Sequence, residues 1–300
     1  MTLGAVVAQA RERLRVGGVP AGEAAGDAEV LARHALGWDL TRYAIGHGEP
    51  PPADFAASYD ALIARRLTRE PVSQIIGHRE FWGLEFEVTR DVLTPRPETE
   101  LVVRAALDVY ARADAPSSAP TIVDIGTGSG CIAIALATEL PDAWFIASDA
   151  SAPALSVARR NGARHRVGAR IAFMHTDRIP PENDVDVIVS NPPYVPERDR
   201  ASLAPEVREY EPPVALFGGE DGLDVYRRLF RDVPGALCDG GRLIVEVGYD
   251  QAARVKAMAN PRFWRFERTY PDLQGIERVL VFEALRPDDG SSSDHGSRRY

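Results

Sequence analysis

Cysteine is almost missing from this chain. Cys131 and Cys238 are the whole complement, and they lie far apart. Two isolated thiols exclude a disulfide framework and any C-x-x-C metal spacing, and they suit a reducing compartment, so a cytoplasmic location is expected. The six histidines, His34, His47, His78, His165, His175 and His295, never fall at ligand spacing, and no metal is expected. Basic residues are in deficit: 35 Lys and Arg against 44 Asp and Glu leave a net charge of −9. A protein that grips nucleic acid mainly through phosphates needs clustered cations, so protein or small-molecule partners are expected, without direct nucleic-acid contact. No run of about 18 apolar residues occurs, and no apolar core follows Arg11, Arg13 and Arg15, which argues against membrane insertion and secretion. Internal repeats are absent, and a monomer is the default expectation.

What is present is enough apolar residue, 45% of 300, for one substantial α/β core and a smaller unit. Residues 1–70 carry apolar positions three or four apart, as in Ala28, Leu31, Ala32, Ala35 and Leu36, broken by Gly17-Gly18 and Pro50-Pro51-Pro52. That pattern predicts a small helical bundle. Over 71–95 the texture changes to Ile75-Ile76-Gly77, Phe81-Trp82-Gly83 and Leu84–Val88, which predicts a β-hairpin linker. From 96 to 286 a helix at Leu101–Ala111, a polar break at Asp114–Pro120 and then apolar runs alternate with helical spacing. The predicted strands are Thr121–Ile125, Trp144–Ser148, Ile171–His175, Val185–Ser190 and Arg242–Val247, with helices at Ser129–Glu139 and Pro153–Arg164. Apolar strands alternating with helices imply a mostly parallel sheet covered on both faces. Phe263–Thr269 and Arg278–Ala284 have no helix between them and read as an antiparallel edge hairpin. Residues 287–300 are too polar to pack and read as a disordered tail.

The segment Val123-Asp124-Ile125-Gly126-Thr127-Gly128-Ser129-Gly130-Cys131 stands where the first parallel strand turns into its helix. Glycines there let backbone approach a ligand closely and leave helix N-terminal N–H groups available. A dinucleotide fingerprint needs a third glycine at 131, but the spacing here is G-x-G-x-G. This is similar to the S-adenosylmethionine loop of class I methyltransferases; the bland alternative is an ordinary tight turn. Asp149, ending the next strand, can accept both hydroxyls of a ribose or can cap the following helix. Asp177 stands in the same way after the third strand, again between capping and binding, and Arg178 is a candidate border of the adenine.

The most informative residues are Asn191-Pro192-Pro193-Tyr194, directly after the apolar run ending at Ser190. In an open α/β sheet the ligand crevice lies beyond the carboxyl ends of the strands. Two prolines stiffen the turn. The Asn191 side chain and the Pro192 carbonyl can offer two acceptors to a planar –NH2 group. Tyr194 can pack on the flat target and favour a cationic donor through its ring face. Attack by nitrogen on a sulfonium methyl needs chiefly alignment, and such a turn supplies it.

On these residues the chain resembles the PrmC/HemK family of protein-(glutamine-N5) methyltransferases. Further similar segments are Gly77-His78-Arg79-Glu80-Phe81-Trp82-Gly83-Leu84, Leu93-Thr94-Pro95-Arg96-Pro97-Glu98-Thr99-Glu100 and Glu211-Pro212-Pro213. To these add Gly218-Gly219-Glu220-Asp221-Gly222-Leu223, Glu246-Val247-Gly248-Tyr249-Asp250-Gln251 and Asp272-Leu273-Gln274-Gly275. The P-R-P-E-T-E run also reads as a helix N-terminus.

The resemblance implies a class I S-adenosylmethionine-dependent methyltransferase fold, a seven-stranded, mostly parallel sheet with helices on both faces, preceded by the helical bundle and hairpin linker. It implies S-adenosylmethionine as cofactor, S-adenosylhomocysteine as product, and peptide-chain release factors as protein substrates, methylated on the glutamine of a Gly-Gly-Gln motif. Asp124, Gly126, Thr127, Gly128, Ser129, Gly130, Asp149, Asp177, Arg178 and Asn191 are the candidate cofactor residues. Asn191, Pro192 and Tyr194 are the candidate catalytic residues, and with Pro193 they are the candidate substrate site. One departure is Arg178, where many relatives carry an aromatic residue. The nearest alternative is an N-methyltransferase acting on an exocyclic amine of a nucleic-acid base, which would need basic and stacking surface to hold the base. A non-catalytic cofactor-holding module would leave the stiff Asn-Pro-Pro-Tyr turn without a purpose.

Overall fold

The computed structural model describes residues 1–111, 119–177 and 184–286. Part of the polar break predicted at 114–120, the adenine candidate Arg178 and the tail at 287–300 lie outside the described residues. The chain divides into two compact units, one of residues 1–95 with 198–216, the other of 96–197 with 217–300.

The first unit opens with four helices, α1 (Leu3–Val16), α2 (Ala21–Leu36), α3 (Leu40–Gly46) and α4 (Phe55–Leu67). Their apolar stripes meet in a core of Leu3, Leu14, Leu31, Phe55, Tyr59 and Ile63. The buried Tyr59 hydroxyl donates to the Ala28 carbonyl (2.8 Å), which satisfies the one polar atom that ring brings inside. The hairpin is β1 (His78–Phe81) with β2 (Leu84–Glu87), and its two turn residues, Trp82 and Gly83, have φ of 55° and 70°. Both positive φ values match the twist that two-residue hairpin loops require. The Ile75-Ile76 pair, expected within the hairpin, instead belongs to a short helix α5 (Val72–Ile76) that Gly77 stops at φ 82°. Two adjacent apolar residues carry no alternation, so nothing in the pair itself specified a strand.

Residues 198–216 contribute α9 (Pro205–Tyr210) and α10 (Pro213–Leu216) to this first unit. They are joined to the helices by ion pairs. Arg66, 2% exposed, meets Asp27 (2.7 Å), Glu206 (2.8 Å) and Glu23 (3.3 Å). Gln74 Nε2 donates to the Tyr210 carbonyl (3.0 Å), and the Thr94 backbone N–H donates to Glu211 Oε1 (3.3 Å).

The second unit is built on strands β3 (Thr121–Ile125), β4 (Trp144–Asp149), β5 (Ile171–His175), β6 (Val185–Ser190), β7 (Leu237–Glu246), β8 (Trp264–Pro271) and β9 (Glu277–Ala284). They form one seven-stranded sheet in the order β5-β4-β3-β6-β7-β9-β8. The pairs from β5 across to β7 are parallel, and β9 and β8 are added antiparallel. Helices α6 (Glu100–Tyr110), α7 (Cys131–Glu139), α8 (Ala152–Arg164), α11 (Asp224–Asp232) and α12 (Ala252–Lys256) complete the unit. Right-handed crossovers running outward from β3 in opposite directions put α7 and α8 on one face and α11 on the other. This is the class I methyltransferase architecture.

Several boundaries shift from expectation, most by one or two residues, and two of the shifts have a visible cause. Helix α7 begins at Cys131 because Gly130, at φ 83°, is still turning. Strand β7 begins at Leu237, ahead of the expected Arg242, and carries a register shift opposite Val185–Val187 that takes up Gly240-Gly241.

Candidate active site

The register of the sheet puts the candidate residues on one line. Ile125 at the end of β3 faces Ser148 of β4 on one side and Ser190 of β6 on the other. Ser190 in turn faces Val245 of β7. The next residue along each strand is therefore Gly126, Asp149, Asn191 and Glu246, a row across the carboxyl edge. The chain leaves β3 toward β4 and returns on the opposite side at β6, so this row straddles the point where the strand order reverses. That is where open α/β sheets bind ligands.

The glycine loop is shaped by three positive-φ residues, Gly126 (74°), Gly128 (55°) and Gly130 (83°). At Gly130 a Cβ would come 2.8 Å from Ile134 Cδ1 and 3.2 Å from Ala158 Cβ, so this glycine serves helix packing. At Gly126 and Gly128 a Cβ would meet nothing within 4 Å, so those two face open space. The loop is held from β4: the Gly126 and Thr127 N–H groups both donate to the Ser148 carbonyl (2.9 Å each). Asp149 Oδ2 accepts from the Gly128 N–H (2.9 Å) and Oδ1 from the Ser151 N–H (2.8 Å). The following helix α8 is capped by Ser151, whose hydroxyl accepts from the Ala154 N–H (3.2 Å), so Asp149 braces the loop and the cap residue without being the cap, and each of its carboxylate oxygens keeps a lone pair for a further donor.

Asp124 lies beneath the loop, with 0% of its surface exposed. Its Oδ2 accepts from Thr127 Oγ1 (2.6 Å) and the Ala133 N–H (3.3 Å), while Oδ1 has no partner among the described residues. Burial, only partly offset by those donors, pushes this carboxyl up to about 7. Thr127 and Ser129 are buried as well, so those two side chains belong to the loop's interior. Asp177 is exposed, past the end of β5.

The Asn191-Pro192-Pro193-Tyr194 turn leaves β6 under tight backbone control. The Tyr194 carbonyl accepts from Gln251 Nε2 (2.8 Å), and Gln251 Oε1 accepts from the Gly248 N–H (3.1 Å). The Val195 carbonyl accepts from the Gly218 N–H (3.0 Å), and Glu197 N–H donates to the Gly219 carbonyl (3.0 Å). A Cβ at Gly218 would collide with the Pro193 carbonyl and one at Gly222 with the Tyr194 carbonyl. Those glycines allow the second chain to lie directly against the turn. The Tyr194 ring is half-buried against the sheet core, and burial raises its phenol, which stays protonated.

Among the described residues Asn191 makes one side-chain bond, Nδ2 donating to Thr99 Oγ1 (3.0 Å), and Thr99 Oγ1 donates to Glu246 Oε2 (2.7 Å). Thr99 ends the short 3-10 turn Pro97–Thr99 that leads into α6, where the P-R-P-E-T-E run was read as a helix N-terminus. Burial pushes the Glu246 carboxyl up to about 7 against the lowering effect of the Thr99 bond.

Comparison with known proteins decides the family. Residues 5–77 match the PrmC N-terminal domain and residues 111–207 the methyltransferase small domain. The release factor glutamine methyltransferase of Cereibacter sphaeroides is 43% identical over 271 residues, covering 89% of this chain and 93% of its own. That of Geobacter sulfurreducens is 43% identical over 256 residues, covering 85% and 87%. The chain belongs to the release factor glutamine methyltransferase family. Solved structures agree on the fold. The hMettl16 catalytic domain aligns with a TM-score of 0.57 at 16% identity, over 76% of this chain and 83% of that one. A methyltransferase from Pyrococcus furiosus gives 0.51 at 17%, over 74% and 98%.

Membership in this family makes S-adenosylmethionine the cofactor, and the residues fit it. Gly126 and Gly128 present side-chain-free backbone to open space, and Asp149 stands level with them with acceptor capacity to spare. Among the described residues no cluster of His, Cys, Asp or Glu could hold a metal ion, and no helix is long and apolar enough to cross a membrane.

Four residues escaped the reading of the site. Thr99, Glu246 and Gln251 lie in segments similar to the family's, but their sequence context alone assigns them no role. Asn161, fully buried on α8, donates to the Ser129 carbonyl (2.9 Å). Its signal was a polar residue on the face that otherwise buries Ala154, Leu155 and Ala158.

Proposed function

We propose that this chain transfers a methyl group from S-adenosylmethionine to the side-chain amide nitrogen of the glutamine in the Gly-Gly-Gln motif of peptide-chain release factors. The observation that carries the proposal is the row Gly126, Asp149, Asn191, which stands a stiff amide-reading turn beside the cofactor loop at the reversal of strand order. The name shared by the curated relatives supports the substrate.

When bound, the cofactor supplies an electrophilic methyl group. The Gly126–Gly130 loop and Asp149 are the residues that would hold its methionine and ribose ends. Asn191 Oδ1 and the Pro192 carbonyl accept hydrogen bonds from the two amide N–H groups of the substrate, which holds the nitrogen in plane and raises its electron density, and the nitrogen releases one of those protons to water as it gains the methyl group. Tyr194 and the prolines form the rigid wall against which the amide lies. The gain is alignment at a separation of about 3–3.5 Å, and a turn locked by Gln251, Gly218 and Gly222 is suited to hold it. The helical unit, which matches the PrmC N-terminal domain, is the part we assign to docking the release factor.

We further infer that the protein works in the cytoplasm as a monomer on a protein substrate rather than on nucleic acid, consistent with its net charge of −9. Incubation with methyl-labelled S-adenosylmethionine, release factor and duplex or single-stranded nucleic acid tests the proposal. Label is expected in the release factor alone, and label in nucleic acid would reopen the base-methylating alternative.

A further inference from the structure

We infer that Thr99 and Glu246 are positioning residues for the proposed reaction, because through the Thr99 hydroxyl they fix which end of the Asn191 amide faces the substrate. The inference rests on the amide-reading role given to Asn191 above.

An asparagine side chain is nearly symmetrical in shape, and only its hydrogen-bond partners decide which end is oxygen and which is nitrogen. Among the described residues Asn191 has a single such partner, Thr99 Oγ1 at 3.0 Å. A threonine hydroxyl owns one hydrogen. Here that hydrogen is committed to Glu246 Oε2 at 2.7 Å, so toward Asn191 the Thr99 oxygen can only accept. The Asn191 end turned to Thr99 must therefore be Nδ2, and Oδ1 is left facing away. One Nδ2 hydrogen is consumed in this bond. The remainder, one acceptor and one donor, matches the –NH2 and carbonyl of a primary amide.

The directing group is well isolated from competition. Thr99 and Glu246 are each 2% exposed, so water does not supply alternative donors. The groups facing Glu246 are Glu98 and Arg96 on the turn before α6, Arg278 on β9, Tyr194 beyond β6, Tyr226 on α11, and Cys131 at the start of α7. The Tyr226 hydroxyl is spent on the Glu246 backbone carbonyl (2.8 Å) and does not compete for the carboxylate. An ionised Glu246 can only accept, which fixes the sense of the whole chain. A protonated carboxyl can also donate, so the fixed sense is lost as pH falls through the range in which Glu246 takes up its proton.

The test measures methyl transfer to purified release factor, cofactor affinity and pH dependence for the parent, Thr99→Val, Thr99→Ser and Glu246→Gln. Val keeps the shape of Thr and removes the hydroxyl, so turnover is expected to fall about tenfold while S-adenosylmethionine affinity holds. Ser restores the hydroxyl and is expected to return turnover to near the parent rate. Parent turnover should fall on acidification through about pH 7, and Glu246→Gln should lack that step. Parent-like turnover in Thr99→Val overturns the inference, as does equal impairment of the Ser and Val variants, or an unchanged acidic step in Glu246→Gln. A parent that methylates no release factor removes the proposed function and this inference with it, whereas an active parent with any of those results removes this inference alone.

Discussion

Replacing Glu246 by Gln should make the folded protein more stable at alkaline pH and leave it nearly unchanged at acidic pH. The carboxyl is 2% exposed, and burial pushes it from 4.5 up to about 7. The folded chain therefore holds this proton more tightly than the unfolded chain does. Stability is therefore unaffected by this group below about pH 4.5, declines as pH rises between 4.5 and 7, and carries the full penalty above 7. At about 1.4 kcal/mol for each tenfold in proton affinity, that interval corresponds to about 3 kcal/mol. Gln has similar volume, keeps an acceptor for Thr99 Oγ1 and has no proton to lose. The difference between variant and parent should thus grow from about 1 kcal/mol at pH 5 to about 3 kcal/mol at pH 8, measured by urea unfolding at both. Taking the difference cancels Asp124, whose carboxyl is also raised to about 7 and titrates in the same window in both proteins. An equal difference at the two pH values would show that Glu246 is not buried as a carboxylate, and the hydrogen-bond chain to Asn191 would go with it. A gain in stability accompanied by lost turnover would be the usual trade at a site that keeps a costly charge for function.

Asp149→Ala removes the acceptor of the Gly128 and Ser151 N–H groups and the proposed acceptor of ribose, so S-adenosylmethionine affinity should fall by about 1.5–3 kcal/mol, and unchanged affinity by calorimetry would rule out the ribose role. Gly222→Ala forces a Cβ onto the Tyr194 carbonyl at φ 76°, which should cut turnover at least about tenfold with cofactor affinity preserved; a parent-like rate would mean the turn tolerates displacement. Arg66→Ala leaves Asp27 without its cation at a largely buried position, while Glu206 keeps its pair with Arg69 (2.6 Å), and should destabilise the first unit by about 3 kcal/mol, checked by denaturation followed by circular dichroism; a loss below about 1 kcal/mol would show that water replaces the arginine without penalty.

The parts of this fold that were legible are those in which local pattern and global arrangement agree. Strands such as Val185–Ser190 are apolar on both faces because they are buried on both, and their limits were read directly. The Gly126–Gly130 loop and Asn191–Tyr194 turn were legible because their chemistry is contiguous in sequence. What was not legible depends on residues far apart in the chain. Thr99 and Glu246 are 147 positions apart, and each alone reads as something plainer, a helix-start threonine and a strand-end glutamate. The assignment of residues 198–216 to the helical unit rests on pairs such as Arg66 with Glu206, 140 positions apart. The Val72–Ile76 helix was missed because five residues between a proline and a glycine carry too little periodicity to choose a period.

The central claim is tested most directly by the mass of the glutamine-containing Gly-Gly-Gln peptide from a release factor, before and after treatment with this protein and S-adenosylmethionine. Parent protein should make that peptide heavier by one methylene at the glutamine, Asn191→Asp should slow the change by about 10²–10³-fold, and a substrate with Glu in place of Gln should gain nothing. An unchanged peptide mass with the parent, or parent-rate methylation by Asn191→Asp, would contradict the account.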